Sequence, residues 1–405
     1  MSDDLDLFND PYTSGGGHGE ERATTPRRRE RVPKRKLVIW SIVGVVVLLI
    51  AGGAYYGVTQ VLGFGSYDDY SGQGEADVVV EVTDGESTGD IAETLHKADV
   101  VASAKAFVKA GEDNSKLRGV QPGFYVMKTK MSGAAAVAAI VNPDARVGEL
   151  QIRAGSQLDD VKAPDGSIVS GIISKLSKAS CAKLNGKDTC VSPDALRNAY
   201  EKADLASLGV PDWAVPYAKK AEPKRRLEGL ILPDVYDVKP GSDATELWKT
   251  VLSKSALHLQ AVGMPSVAKD TGFTPYEVLI MASLIEREAI TSDFPKVSRV
   301  TYNRLAKPMK LGYDSTINYV LDRPEITTKD ADRAKGGPYN TYNNFGLTPT
   351  PISAPSNEAI DAAVNPAPGK WMFFVKCEKD GTSCFAVTGE EHQRNVDKAR
   401  ANHVY

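Results

Sequence analysis

The chain has 405 residues and a formal charge of −3, with 42% apolar and 25% charged side chains. That length suits two or three domains, and the ordinary composition excludes a low-complexity or collagen-like polymer. The near-neutral balance gives no reason to expect nucleic acid as a partner.

The charge is uneven along the chain. Residues 1–36 hold Gly15-Gly-Gly17 and a basic run from Arg22 through Arg27, Arg28, Arg29 and Arg31 to Lys36, and read as a disordered tail. Leu37 to Val58 then carries no charge. It is about the ~20 residues needed to cross a bilayer. The basic flank predicts a signal anchor with the tail in the cytoplasm and everything after Val58 outside. A cleaved signal peptide would have a shorter apolar region and a small-residue cleavage site. Residues 59–76 read as a linker.

The next stretch, 77–145, predicts a strand at 77–82, a helix capped by Ser87 or Thr88, a second short helix over 102–110, a strand at 123–127 and a helix from 134 capped by Ser132. This β-α-α-β-α order suits a small sheet with helices on one face. Residues 146–226 predict a strand at 148–153 and helices over 166–178 and 193–207, and carry no catalytic signature. A region 227–405 opens with Leu227-Glu-Gly-Leu-Ile-Leu-Pro-Asp-Val-Tyr-Asp237 and a helix over 244–262. The fold class is α+β.

All four cysteines follow the apolar run, in the compartment where disulfides persist. Trp371–Cys377 and Cys384–Thr388 read as strands joined through Asp380-Gly381, a favoured hairpin turn. In that register Cys377 faces Cys384 within disulfide reach. Cys181 and Cys190 pair on local spacing alone. Neither pair has the tight spacing of a zinc site. His392 and His403 near a helix over 390–401 read as solvated surface. No cofactor or metal is expected.

The chemistry concentrates between Thr274 and Pro355. An almost wholly apolar helix, Tyr276–Ala289, ends in Glu286 and Glu288. Carboxylates on such a helix are paired, protonated or functional. Two residues apart on a helix is about 200°, so the two glutamates cannot face one substrate together. Helical side chains lean toward the N-terminus, which lays Glu288 over Leu284 and Ile285 and Glu286 over Ala282 and Ser283. Glu288 has the more apolar surroundings and the better reason for a raised pKa. Against this stands a helix-end glutamate paired with Arg287 or Arg299.

Downstream, Asp314 is either a helix cap with Ser315 and Thr316 or a cleft residue binding sugar hydroxyls. Tyr313 offers a stacking face. Asn303, Tyr339, Asn340, Thr341 and Tyr342 supply amides, hydroxyls and rings of the kind polysaccharide clefts use. Turn chemistry beside Gly336-Gly-Pro338 is the alternative for Asn340. Gly346 to Pro355 reads as a rigid extended wall.

The segments Glu228-Gly-Leu-Ile-Leu-Pro-Asp-Val-Tyr236, Ala282-Ser-Leu-Ile-Glu-Arg-Glu-Ala289, Val300-Thr-Tyr-Asn-Arg-Leu305, Leu311-Gly-Tyr-Asp-Ser-Thr-Ile-Asn-Tyr319, Tyr339-Asn-Thr-Tyr342 and Gly346-Leu-Thr-Pro resemble the endolytic murein transglycosylase family, also called MltG or YceG-like. Gly312-Tyr313 and Pro349-Thr-Pro351 depart from the family's usual pattern. The resemblance implies a single N-terminal transmembrane helix, a LysM-like subdomain over 77–145 and a YceG-like catalytic domain over 227–405. It also implies cleavage of nascent peptidoglycan glycan strands at the cell membrane, leaving 1,6-anhydro-muramyl ends, with peptidoglycan synthases as partners. The family's catalytic position falls on Glu288, with Glu286 as the alternative. Two other functions suit the same residues. One is a muramidase-type hydrolase, which needs a second carboxylate ~5–9.5 Å from the acid. The other is a non-catalytic peptidoglycan-binding scaffold for division.

Overall fold

Strand β1 (Asp77–Val82) pairs antiparallel with β2 (Gly123–Lys128), Val82 opposite Gly123 and Asp77 opposite Lys128. This computed structural model describes residues 67–163, 165–321 and 330–404. The predicted tail, membrane helix and first half of the linker lie outside the described residues. Among those described, no helix is long and apolar enough to cross a membrane.

Alternation along β1 turns Val80 and Val82 inward and Glu81 outward. Helices α1 (Thr88–Lys97) and α2 (Ala104–Gly111) follow β1, and α3 (Gly133–Ile140) follows β2. Ser87, Ser103 and Ser132 each accept a first-turn amide, as helix-capping serines do. A short third strand, β3 (Arg146–Val147), adds to β2. Val80, Leu95, Phe107 and Met127 lead a core of their own.

The rest of the chain shares a second core. Strand β4 (Glu149–Ile152) pairs antiparallel with a strand more than eighty residues later, β9 (Asp234–Asp237). Between them lie the hairpin β5 (Val161–Lys162) and β6 (Ile168–Val169), α4 (Ile172–Ala179), the hairpin β7 (Lys183–Leu184) and β8 (Lys187–Asp188), α5 (Pro193–Lys202) and α6 (Val215–Ala218). Helix α4 starts later than 166 because Gly166 takes φ +90° in a turn and Gly171 lies against the Asp159 carbonyl. The Cys181–Cys190 disulfide closes the β7–β8 loop, with Cα atoms 4.1 Å apart. Leu150, Tyr200, Leu227, Tyr236 and Trp248 all belong to this one core, so residues 146–226 and 227–405 pack as a continuous body. Arg146 meets Asp237 at 2.9 Å, and Asn185 exchanges hydrogen bonds with Asp77, tying the N-terminal sheet to that body.

Helix α7 (Ala244–Ala261) is capped by Asp243, and Trp248 Nε1 donates to the Leu196 carbonyl at 2.8 Å. The central element is α8 (Pro275–Glu288). Thr274 and Glu277 form a capping box, and Tyr276 and every residue from Val278 to Ile285 are buried. Each large apolar side chain so buried contributes about 1.5–3 kcal/mol. Around α8 pack α9 (Phe294–Leu305), α10 (Asp314–Asn318) and, beyond α11 (Asp330–Arg333), α12 (Asn357–Val364). The Pro-rich segment, expected as a cleft wall, is drawn into the core at its C-terminal half. Ile352 N donates to Ser283 Oγ at 3.0 Å, and Ile352 and Ala354 are fully buried. Gly229, at φ +72°, admits this segment, because a Cβ there would fall 2.3 Å from Pro351.

Strands β10 (Phe373–Lys376) and β11 (Ser383–Ala386) form the C-terminal hairpin, followed by α13 (Gly389–Ala401). Cys377 and Cys384 are bonded, with Cα atoms 5.6 Å apart. The expected register is corrected, however: Cys384 opposes Val375, not Cys377. The amides of Cys377 and Glu378 both donate to the Thr382 carbonyl, so an extra residue bulges the strand and lengthens the loop. The disulfide therefore runs diagonally across the end of the ladder. His392 is also corrected: it is half-buried and stacks on Phe373 with ring centroids 5.1 Å apart.

Candidate active site

Helix α8 leaves the core only in its last turn, where Glu286, Arg287 and Glu288 emerge. The helical 100° step sends the two carboxylates to different neighbours. Glu286 Oε2 accepts from Ser356 N at 3.0 Å and Ser356 Oγ at 2.5 Å. Ser356 is the N-cap of α12, so Glu286 secures a helix start. Glu288 Oε1 accepts from the Ser315 amide at 3.1 Å, in the first turn of α10 where amides lack helical partners.

Burial pushes the Glu288 carboxyl above the ordinary glutamate value. Hydrogen bonding to Ser315 pulls the other way, and the Asp314 charge adds to the rise. The two arginines proposed as salt-bridge partners point to carbonyls instead. Arg287 reaches Gly155, and Arg299 reaches Ala367 at 2.6 Å and Pro366 at 3.2 Å. The Ser315 hydroxyl is buried with no hydrogen-bond partner among the described residues. It lies near enough to Glu288 to favour the ionised carboxylate, so it faces that glutamate.

Asp314 does not cap α10; Tyr313 occupies the N-cap position. Asp314 Oδ1 accepts from the Tyr342 hydroxyl at 2.6 Å and Oδ2 from Arg333 Nη2 at 3.3 Å. The Arg333 guanidinium also lies 5.0 Å over the Tyr342 ring. Burial, then the Asp314 hydrogen bond, hold the Tyr342 hydroxyl protonated well beyond its ordinary range.

Thr316 and Thr341 are buried supports. Their hydroxyls meet at 2.9 Å, Thr316 Oγ1 donates to the Tyr313 carbonyl, and Thr341 Oγ1 accepts from the Tyr313 amide. Together they fasten the 340–342 loop to the start of α10. Tyr313 is corrected as a stacking face. It is 1% exposed, its hydroxyl meets Thr301 Oγ1 at 2.7 Å, and burial pushes that hydroxyl up to about 12. Asn340 builds the turn: Nδ2 donates to the Arg333 carbonyl at 2.8 Å, and Oδ1 accepts from Tyr342 N at 2.9 Å.

Tyr339 and Asn303 lie apart from this group. Tyr339 is buried, with its hydroxyl 2.8 Å from Thr350 Oγ1. Asn303 Nδ2 donates to the Trp371 carbonyl at 2.8 Å. The structure thus gathers Glu288, Asp314, Ser315 and Tyr342 at one surface, with Thr316, Asn340 and Thr341 behind it.

Two residues at or near this group carried no sequence expectation. Arg333 has no distinguishing context in the sequence. Glu228, in an apolar run, could have been flagged by the cost of burying a carboxylate. It is 2% exposed and accepts from Leu158 N at 3.2 Å and the Tyr319 hydroxyl at 3.0 Å. Burial pushes its carboxyl up to about 8. Tyr319 follows Ser315 by one helical turn, so α10 has Glu288 hydrogen-bonded at its start and Glu228 at its end.

A family model described as the YceG-like family matches residues 80–398. The chain is 27% identical over 354 residues to a protein named endolytic murein transglycosylase from Bacillus subtilis (strain 168), covering 86% of this chain and 91% of that one. A protein of the same name from Streptococcus pneumoniae is 27% identical over 373 residues, covering 89% of this chain and 64% of the relative. A crystal structure of a YceG-like protein from Listeria monocytogenes superposes with a TM-score of 0.52 at 25% identity, covering 78% of this chain and 98% of that one. With its motifs spread over both sides of a buried glutamate helix and the family model spanning 319 residues, the chain belongs to the YceG-like family.

Proposed function

We propose that this chain is a membrane-anchored endolytic murein transglycosylase in which Glu288 is the single general acid and base. The observation that carries the reading is the state of the three neighbouring carboxylates. Glu288 is held by one amide in an apolar setting that favours its protonated form, whereas Glu286 is committed to α12 and Asp314 to Tyr342 and Arg333. One free acid suits a lytic transglycosylase better than a hydrolase, which needs two facing carboxylates. The names of the Bacillus and Streptococcus relatives agree with this reaction class.

Protonated Glu288 gives its proton to the bridging glycosidic oxygen as the C1–O bond breaks. The resulting carboxylate takes the proton from the C6 hydroxyl of the same muramyl residue. That oxygen attacks C1 and closes a 1,6-anhydro ring, so no water is consumed and Glu288 is regenerated protonated. The intramolecular attack draws on a high effective molarity. The Ser315 amide and hydroxyl steady Glu288. The basic-flanked apolar run 37–58 supports anchoring at the membrane, with 77–145 as a LysM-like glycan-holding subdomain and the synthases of the same strands as partners.

Mass spectrometry of purified murein digested by the chain tests the reaction. Muramyl ends lacking one water against reducing ends are expected; reducing ends alone would move Asp314 into a hydrolase's second role. Protease treatment of spheroplasts tests the topology: residues beyond the apolar run should be removed, and their protection would refute the orientation.

A further inference from the structure

Trp371 and Phe385 floor a groove of about 350 Å³, away from Glu288, whose rim is formed by Val387, Glu391, Arg394 and Asn395. The two rings are half-buried, with centroids 5.8 Å apart and planes tilted by 54°. Trp371 is held in place from behind. Asn303 Nδ2 donates to the carbonyls of Trp371 at 2.8 Å and Gly369 at 3.3 Å, and Arg304 Nε donates to Met372 O at 2.6 Å. The Gly369 backbone lies against the six-membered ring, where a Cβ would fall 2.4 Å from a ring carbon.

Two cations, Lys296 and Arg394, lie beside the rings. Lys296 Nζ lies 5.3 Å from the Phe385 ring centroid and 5.9 Å from that of Trp371. Arg394 makes no ion pair or hydrogen bond among the described residues, and it is exposed. Two acids near the start of α13 feel the Arg394 charge: Glu390, and Glu391, whose Oε2 accepts the amides of Val387 and Thr388. An aromatic floor with two cations fits a ligand having an apolar ring face and a carboxylate.

Packed rings link the wall of the groove to the Glu288 site. Phe385 lies 6.1 Å from Phe374, and Phe374 lies 5.8 Å from Tyr313, centroid to centroid. Tyr313 caps the helix whose Ser315 amide holds Glu288. Lys376, at the other end of β10, is close enough to lower the Glu288 pKa. Five residues of extended chain separate Lys376 from Trp371, about 16 Å. That reach exceeds one sugar and suits a strand cut in its interior.

We propose that the Trp371–Phe385 groove is a remote subsite for the same glycan strand, taking the C–H face of a pyranose on Trp371 and a lactyl or stem-peptide carboxylate on Arg394 and Lys296. The proposal rests on the murein-cleaving reading and extends it to where an endolytic enzyme grips the strand. Asn303 then acts as a positioning residue through Trp371.

The test uses the full chain carrying Glu288→Gln, titrated with purified uncleaved glycan strands bearing stem peptides and, separately, with chitin oligosaccharides, which lack carboxylates. Adding Trp371→Ala should weaken both by roughly three- to tenfold, and Trp371→Phe should restore most of the loss. Adding Arg394→Glu should weaken the murein strands and leave chitin binding nearly unmoved. Arg394 is exposed, so this arm decides the matter even if Trp371→Ala unfolds. Equal affinities for the murein strands in the parent and the Arg394→Glu variant, or in the parent and a folded Trp371→Ala variant, would overturn the subsite, as would an absence of glycan binding in the parent. If Glu288→Gln still cleaves while Trp371→Ala weakens binding, the subsite stands and the assignment of the acid falls.

Discussion

The Ser315 amide lies 3.1 Å from Glu288 Oε1 and is the hydrogen bond that joins α10 to the end of α8. The preceding residue, Asp314, turns its carboxylate to Tyr342 and Arg333. Adjacent residues thus separate two duties: one holds the acid, the other sets the charge beside it.

Replacing the acid should remove the reaction. Glu288→Gln keeps the Ser315 hydrogen bond and loses the transferable proton, so cleavage of murein should fall by at least ~10²–10⁴-fold with an unchanged circular dichroism spectrum. Glu286→Gln should instead lower stability by about 1 kcal/mol through the start of α12, with a much smaller effect on rate. Product release by both variants, measured by chromatography, and their thermal unfolding separate the two roles. Wild-type activity in Glu288→Gln would refute the assignment.

The pH profile should follow the same group. Because burial raises the Glu288 pKa, the protonated acid persists above the ordinary glutamate range, and activity declines as pH rises through the raised value. Asp314→Asn removes a charge that contributes to that rise. The alkaline decline of kcat/KM should therefore begin at lower pH in this variant. A decline displaced to higher pH would show that Asp314 does not act on Glu288 through its charge.

Glu228 should make stability depend on pH. Its folded pKa is raised from 4.5 to about 8, so the unfolded chain releases the proton first. The contribution to stability is full below about 4.5, falls as pH rises, and is lost by about 8. Glu228→Gln stays neutral throughout and should lose this slope. The difference in unfolding free energy between wild type and variant should change by up to about 4 kcal/mol from pH 5 to pH 8. Parallel stability curves in urea would contradict it.

The diagonal Cys377–Cys384 bridge closes the loop that the bulge lengthens, and Asp293 Oδ2 accepts from Ser383 N at 2.7 Å beside it. Paired Cys377→Ser and Cys384→Ser substitutions should lower stability by about 2–4 kcal/mol. Thermal unfolding with and without reductant measures the effect. Wild type should shift more than the double variant, which has only the Cys181–Cys190 bridge left to lose.

Local chemistry sufficed for much of this molecule. Alternating valines made β1, serine and threonine caps opened α1, α3 and α8, and the run from Tyr276 to Ile285 had to be buried whatever packed on it. The helical step alone separated Glu286 from Glu288, and two short cysteine loops after an apolar run implied disulfides. None of these needs a distant partner. What required the tertiary structure was which neighbour each side chain met. Ser356 and Ser315 lie seventy and twenty-seven residues from the glutamates they contact. Thr316, Thr341 and Tyr313 read as sugar-binding groups until packing buried them, because a hydroxyl serves a core hydrogen bond as readily as a ligand. The bulge at Cys377 displaced a register that turn chemistry had suggested, and the burial of Glu228 depended on Leu158 and Tyr319 arriving from either side. Propensity and periodicity act over a few residues, whereas pKa, burial and hydrogen-bond partners are set by whatever the fold brings within a few ångströms.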